Sequence, residues 1–148
     1  MTPASQKPPT SEGTNTPLLA SSLMVRWGDM DALGHVNNTC YFRYCEQVRM
    51  EWFASLDLTR SNDPSSKIVI INAFCEFLVP VVYPCSIIAE MSGSKPGKSS
   101  FMSHYVIRDS ASENTVYCNG TAKIVWVNAE GTKSVPLPDT VRALLEAD

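Results

Sequence analysis

Residues 26–53, "RWGDMDALGHVNNTCYFRYCEQVRMEWF", place a polar cluster directly before a long segment of helical periodicity. Apolar side chains recur at helical spacing from Thr39 to about Leu56, which predicts a helix of about five turns. Asn38 stands where an N-cap is expected. The apolar positions of this helix, which leave only a narrow polar stripe, are Tyr41, Phe42, Cys45, Val48, Trp52, Phe53 and Leu56. Such a helix is predicted to be central and mostly buried.

Most of the remaining chain is predicted to form strands. A short strand is predicted from Ser22 to Gly28, and after a polar loop at 58–67 four longer strands follow, at 68–83, 85–93, 99–109 and 115–127. Residues 128–137 predict a turn and a short edge strand, and Asp139 would cap a brief C-terminal helix. One long apolar helix followed by an antiparallel meander packs best if the sheet curls around it. The predicted fold is therefore α+β, a hotdog fold with a curved antiparallel sheet wrapped around one central helix.

Length and composition limit the possible classes of protein. The chain has 148 residues, enough for one domain. Residues 1–20 are rich in Pro, Ser and Thr and predict a disordered tail, which leaves 21–148 as the domain. The net charge of -3 gives no global attraction to nucleic acid or to anionic membranes. Because no apolar run is long enough for a membrane span and no secretory signal is evident, a cytoplasmic location is expected.

The cysteines give no sign of a disulfide framework or a metal site. There are five of them, with no C-x-x-C pair, and all lie within apolar segments. We expect them to be small buried hydrophobic residues.

The polar cluster before the helix has two interpretations when only residue types are considered. Asp and Gly before a helix are common turn and capping residues, so "GDMDALGH" can be purely structural. The D-x-D pair could also bind a divalent metal, but no further acid or histidine stands at a supporting spacing. No metal is therefore expected.

The stretch "WGDMDALGHVNNTCYFRYCEQVR" (27–49) resembles the acyl-CoA thioesterases of the 4-hydroxybenzoyl-CoA thioesterase family, in the group written D-x-D-x-x-G-H-V-N-N-x-x-Y. The resemblance implies a dimer joined edge to edge through its sheets, often paired into a tetramer, with active sites at subunit interfaces. It also implies that Asp31 is the catalytic carboxylate, either as a nucleophile or as a general base, and that Asp29 supports it.

The other site residues follow from the same motif. The supporting or substrate-positioning set is Asp29, Gly34, His35, Val36, Asn37, Asn38, Tyr41 and Glu46. The turn "KPGKSSF" (95–101) resembles the family's coenzyme A contact, and the predicted CoA-binding set is Lys67, Lys98, Ser99 and Ser100. A backbone N-H near Lys67 and Ile68, or one at the start of the long helix, would polarise the thioester carbonyl.

Three further groups have both a structural and a functional interpretation. Glu46 and Arg49 stand three apart, and an intrahelical ion pair is the favoured interpretation over a role in shaping an acyl pocket. His104 is expected to be a satisfied sheet residue. Lys95, Lys98 and Arg108 are expected to gather around one turn, as a solvated surface or as a local basic patch for coenzyme A.

The resulting hypothesis is an acyl-CoA thioesterase that hydrolyses a thioester to a free carboxylic acid and coenzyme A, with no cofactor. Two alternatives remain open at this point: an acyl-carrier-protein thioesterase with the same chemistry, and a non-catalytic acyl-CoA binding protein of the same fold. A hydratase of this fold fits less well, because those relatives need Asp and His at a different spacing.

Overall fold

The structure, a computed structural model, describes residues 16–58 and 65–147. Its elements are β1 (Thr16–Met24), a short 3₁₀ turn (Trp27–Asp29), α1 (Asn38–Ser55), β2 (Ser66–Phe77), β3 (Ser86–Gly93), β4 (Ser100–Asp109), β5 (Val116–Asn128) and α2 (Asp139–Glu146). The strands form one antiparallel sheet in the order β1-β3-β4-β5-β2. The predicted α+β fold, a sheet around one long helix, is confirmed.

The two ends of the sheet are defined by the pairing of β2 with β5. At one end Phe77 pairs with Cys118, and at the other Ser66 pairs with Asn128. The chain leaves β1 at the first end and enters the polar cluster there, so we call it the Asp31 end. The opposite end, where β2 begins, is called the Lys67 end.

Helix α1 runs along the concave face of the sheet from the Asp31 end to the Lys67 end. Near its start the ring of Tyr41 lies 5.0 Å from that of Phe77, and near its finish Phe53 lies 6.4 Å from Trp126. Val48, midway along the helix, is fully buried. The helix bounds agree with the prediction to within one residue, because apolar spacing is a local property that the sheet only reinforces.

The start of the domain was predicted too late. Strand β1 begins at Thr16, which pairs with Gly93, so residues 16–20 belong to the sheet and not to a tail. Leu18 and Leu19 pack against the core. Pro17 gave the segment a tail-like composition, but β1 is an edge strand, where a missing N-H is tolerated. The strand also ends at Met24, before the predicted Gly28, and residues 1–15 of the predicted tail lie outside the described part.

The C-terminal part differs from the prediction in two details. Residues 128–137 form a turn with a single isolated bridge between Val127 and Ser134, not an edge strand. Pro136 interrupts this segment, and proline has no N-H for a ladder. Asp139 is the first residue of α2 rather than its cap, and the N-cap position is held by Pro138.

Strand β2 leaves one edge of the sheet uncovered, and this edge is apolar. Ile70, Ile71 and Phe74 are 38%, 57% and 47% exposed. An exposed strand edge offers unpaired N-H and C=O groups to another chain, and apolar side chains beside it add a reason to pair.

Candidate active site

The polar cluster folds into a tight hairpin between the 3₁₀ turn and α1. Met30 and Val36 form a bridge, Asp31 N donates to His35 O over 3.1 Å, and Gly34 N donates to Asp31 O over 3.1 Å. Gly34 has φ +88°, a conformation that residues with a side chain rarely adopt. The glycine therefore makes the turn possible, as the motif suggested.

The carboxylate of Asp31 is held by two hydrogen bonds. Oδ1 accepts from the Leu33 backbone N-H at 2.8 Å, and Oδ2 accepts from Asn37 Nδ2 at 3.0 Å. Each oxygen keeps a further lone pair, and the side chain is only partly buried. The group is thus fixed in direction while one side remains open to a ligand.

Asn37, and not Asn38, caps α1. The Asn37 Oδ1 accepts from Thr39 N at 2.9 Å and from the Thr39 hydroxyl at 2.6 Å. Asn38 is the first helical residue and is exposed. The prediction was one residue late because either asparagine suits a cap and only the backbone path decides between them. As a result a single side chain both starts the helix and positions Asp31.

A cavity of about 520 Å³ opens in front of Asp31, and we call it the Asp31 cavity. Its lining residues are Trp27, Gly28, Met30, Asp31, Ala32 and Tyr83. Trp27 is 76% exposed and lines the cavity instead of packing in the core. Tyr83 was not predicted, because it arrives from the chain after β2, which is anchored here by Val36 N donating to Val81 O at 2.8 Å.

Asp29 lies beneath the loop and is 5% exposed. Its Oδ2 accepts from the Tyr44 hydroxyl at 2.8 Å and from Arg26 N at 3.0 Å, and Oδ1 contacts the Arg26 guanidinium at 3.3 Å. Burial raises the pKa of Asp29, but the hydrogen bonds from Arg26 N and Tyr44 outweigh it and the net pKa is lowered. Since the Asp29 carbonyl also accepts from Asn37 N at 2.9 Å, this residue braces the loop that carries Asp31.

In the part of the chain that the structure describes, no hydrogen bond joins the Asp31 carboxylate to the remaining residues of the predicted supporting set. Tyr41 is 2% exposed and belongs to the core, and Val36 is an anchor that is fully buried. His35 is partly exposed within the hairpin. Glu46 pairs with Arg43 at 2.9 Å, so the predicted Glu46–Arg49 ion pair is wrong. On a helix both neighbours are three positions away, and Arg49 is drawn instead toward the sheet.

The predicted CoA-binding residues lie at the Lys67 end. Lys67 pairs with Val127 and Ser100 with Val125, while the carbonyls of Lys98 and Ser99 accept from Leu137 N and Trp126 N. Strand β2 has 12 residues and spans roughly 35 Å at 3.3 Å per residue. Within one chain, these residues and Asp31 are therefore at opposite ends of the sheet.

The expected basic cluster is also split. Lys98 precedes β4, whereas Arg108 pairs with Val116 at the far end of the same strand. The predicted grouping was wrong because residues that are near each other in sequence lie far apart along an extended strand. The ten residues of β4 span roughly 30 Å. His104, in the middle of β4, is partly buried, and burial lowers its pKa.

Three cysteines meet under α1. Strand pairing puts Cys75 opposite Gly120, and the Sγ atoms of Cys45 and Cys75 both lie 3.5 Å from the position a Gly120 Cβ would occupy. Hydrogen bonds from the thiols of Cys118 and Cys45 lower the pKa of Cys75. All five cysteines are free thiols. Cys45 and Cys118 are buried as expected, whereas Cys40, Cys75 and Cys85 are only partly buried.

Among residues 16–58 and 65–147, no cluster of three or more His, Cys, Asp or Glu side chains is arranged to hold a metal ion. In the same ranges no helix has the length and apolar character to cross a membrane.

Comparison with known proteins identifies the class. Residues 25–145 match the thioesterase-like superfamily. The PA2801 protein of Pseudomonas aeruginosa, named a candidate thioesterase, is 35% identical and superposes with a TM-score of 0.80, over 86% of this chain and 97% of that one. A candidate acyl-CoA thioesterase of Xanthomonas campestris is 29% identical with a TM-score of 0.73, over 82% and 99% of the two chains.

A third structure shows how far the fold is shared. A 1,4-dihydroxy-2-naphthoyl-CoA thioesterase from Synechocystis superposes with a TM-score of 0.75 at 14% identity, over 85% of this chain and 93% of that one. The chain belongs to the thioesterase-like superfamily, which makes it a thioester hydrolase by class. These comparisons confirm the resemblance to thioesterases that residues 27–49 indicate.

Proposed function

We propose that this protein is an acyl-CoA thioesterase in which Asp31 is the catalytic carboxylate. The observation that carries the proposal is the Asp31 side chain itself, which is fixed by Leu33 N and Asn37 Nδ2 and faces a cavity. Holding a carboxylate in one direction lowers the entropy cost of attack on a bound ester. A protein that only bound acyl-CoA would gain nothing from this arrangement.

The chemistry requires an ionised Asp31 facing the thioester carbonyl. As a nucleophile, the carboxylate adds to the carbonyl carbon, the C–S bond breaks, coenzyme A leaves as a thiolate, and water then hydrolyses the mixed anhydride. As a general base, it takes a proton from water while the water oxygen adds to the carbonyl, and the same C–S bond breaks. Negative charge develops on the carbonyl oxygen in both routes, and the N-terminus of α1 beside Asn37 favours that charge.

This mechanism requires no metal and no redox cofactor. A thiolate is a good leaving group, so the Asp31 carboxylate and backbone N-H donors are sufficient to catalyse hydrolysis of the thioester. Acyl-CoA esters are cytoplasmic metabolites, and we place the enzyme in the cytoplasm as part of the same proposal.

We propose further that the active enzyme is a dimer formed through β2. The uncovered apolar edge of β2 supports a second copy adding to it. In a two-fold antiparallel pairing of the two β2 strands, the Lys67 end of one copy runs beside the Asp31 end of the other. Lys67 of the second copy would then approach the Asp31 site, where it could meet the phosphates of coenzyme A. Two such dimers could pair into a tetramer.

The proposal is tested by thiol release from a panel of short, long and aromatic acyl-CoAs, with the wild type and Asp31→Asn assayed together. We expect turnover of at least one ester by the wild type and a fall of about a hundredfold or more in the variant, the scale of losing a principal catalytic group. Absence of turnover on every CoA ester would reject the CoA assignment. Turnover of acyl-carrier-protein esters in that case would identify the alternative thioesterase.

A further inference from the structure

A second cavity, which we call the helix cavity, lies between α1 and the sheet. It has a volume of about 180 Å³, and its lining includes Thr39, Phe42, Glu46, Arg49, Phe74 and Tyr105. Phe74 and its neighbours bring it to the exposed strand β2, so it opens toward the edge through which we propose the dimer forms. Thr39 brings it to the first turn of α1, two residues from Asn37.

Arg49 is the buried charge of this cavity. The residue is 8% exposed, and its Nη1 donates to the Tyr105 hydroxyl at 3.1 Å. Among the described residues no carboxylate lies within 4.0 Å of its guanidinium. A guanidinium has five N-H donors, and burying it without an anion leaves much of its charge uncompensated.

A directional chain of hydrogen bonds fixes what this end of the cavity can offer. The Ser103 hydroxyl donates its proton to the Ala122 carbonyl at 2.8 Å, so it must accept from the Tyr105 hydroxyl at 2.7 Å. Tyr105 has then used its only proton and accepts from Arg49. This series of hydrogen bonds begins at Arg49 and ends at the Ala122 carbonyl. The N-H groups of Arg49 are therefore what this end of the cavity offers, and they favour a ligand that accepts hydrogen bonds.

The net charge of the lining favours an anion. Glu46 is neutralised by Arg43 at 2.9 Å, which leaves Arg49 as the unbalanced charge. The walls formed by Phe42 and Phe74 are apolar and suit a hydrocarbon chain. A carboxylate at the end of such a chain satisfies both properties, because it accepts two N-H donors of a guanidinium at once.

We propose that the helix cavity binds the distal carboxylate of a dicarboxylic acyl group, and that Arg49 is the specificity-determining residue of the enzyme. The inference rests on the proposed thioesterase function. Side chains on a helix point back toward its N-terminus, so the guanidinium lies closer to the thioester end than the Arg49 Cα does. The guanidinium of Arg49 is already desolvated in the folded protein. A bound carboxylate can therefore pair with it without a further desolvation cost for the guanidinium.

The test compares acyl-CoAs that differ only at the far end of the chain. Glutaryl-, adipoyl- and suberoyl-CoA are each assayed against the monocarboxylic ester of equal length, and ω-hydroxyhexanoyl-CoA supplies a neutral polar end. We expect kcat/KM to be at least about tenfold higher for the best dicarboxylic ester than for its partner, as a charge-assisted hydrogen bond predicts. The hydroxyl ester should resemble the monocarboxylic one.

Variants show whether Arg49 is the cause. Arg49→Met should abolish the preference, and Arg49→Lys should restore part of it. Arg142→Met, which removes an arginine of α2 outside the lining of the helix cavity, should keep the preference. The ratio of two kcat/KM values does not depend on how much protein is folded, so an unstable variant still gives an answer. Equal kcat/KM for the matched esters, or a preference that survives Arg49→Met, overturns the proposal.

Direct binding separates this proposal from the proposed function. Free adipate and hexanoate are titrated into the wild type and Arg49→Met by calorimetry. Tighter binding of adipate that is lost in the variant supports the carboxylate site even if no CoA ester is hydrolysed. Binding of neither acid, in a protein that hydrolyses monocarboxylic acyl-CoAs, rejects the site and leaves the thioesterase assignment intact.

Discussion

The carboxylate of Asp31 and the side-chain amide of Asn37 are joined by a hydrogen bond of 3.0 Å, and the same asparagine caps α1 through Thr39 N. The position of the proposed catalytic carboxylate is therefore tied to the start of the central helix. A change at Asn37 can affect stability through the cap or activity through Asp31, and the two effects can be separated.

Asn37→Ser should keep the cap, since serine is a good N-cap, but a hydroxyl is too short to hold Asp31 as well. We expect nearly unchanged thermal stability and a loss of about tenfold in kcat/KM, the factor that corresponds to one hydrogen bond of about 1.4 kcal/mol. Asn37→Ala should show the same loss in kcat/KM. Because the cap is also removed, its free energy of unfolding should fall by about 1 kcal/mol. Full activity in Asn37→Ser would show that Asp31 does not need this partner.

Asp29 should contribute to stability in a pH-dependent way. Its pKa is lowered from the ordinary 3.8 by hydrogen bonds from Arg26 N and Tyr44 that outweigh its burial. A lowered pKa stabilises the fold above pH 3.8, and this contribution is lost as the pH falls through the folded-state value. Urea unfolding should show Asp29→Asn to be less stable than the wild type by about 1–3 kcal/mol at neutral pH. The difference in unfolding free energy between the two proteins should narrow in strong acid. A difference that does not depend on pH would contradict this role of Asp29.

A lysine on the uncovered edge of β2 should prevent dimer formation. Ile71 is 57% exposed beside that edge, and a buried charge there would oppose pairing. Sedimentation should give a dimer for the wild type and a species near 16.3 kDa for Ile71→Lys. Met24→Lys is the matched control, since Met24 is 79% exposed at the end of the opposite edge strand. A wild type that sediments as a monomer would contradict the proposed dimer, and an Ile71→Lys that stays dimeric would place the interface elsewhere.

The sequence predicted those features that depend on local periodicity. Helix α1 was predicted to within one residue, and the strand predicted at 115–127 is β5, which runs from Val116 to Asn128. Asp31 could be selected because its motif is a continuous stretch. The start of β1 was missed because Pro17 resembles a linker residue, and an edge strand tolerates it only when the rest of the sheet is present.

Residues brought together from distant parts of the chain could not be predicted in this way. Tyr83 reaches the Asp31 cavity through a backbone bond between Val36 and Val81, which no local pattern encodes. Arg49 was assigned to Glu46 by helical spacing, whereas its partner is Tyr105, on a strand 56 positions further along the chain. Lys67 and Lys98 share one end of the sheet, but a linear motif cannot show that Asp31 occupies the other.

The most direct test of the catalytic role of Asp31 is the single-turnover rate of Asp31→Asn on the best CoA ester. Asparagine keeps the shape of the side chain but removes the charge that attacks or activates water. Asp57→Asn is the control, since Asp57 has φ +58° and asparagine tolerates that conformation well. Our account predicts a fall of about a hundredfold or more in Asp31→Asn and an unchanged rate in Asp57→Asn. A folded Asp31→Asn that retains the wild-type rate would contradict it.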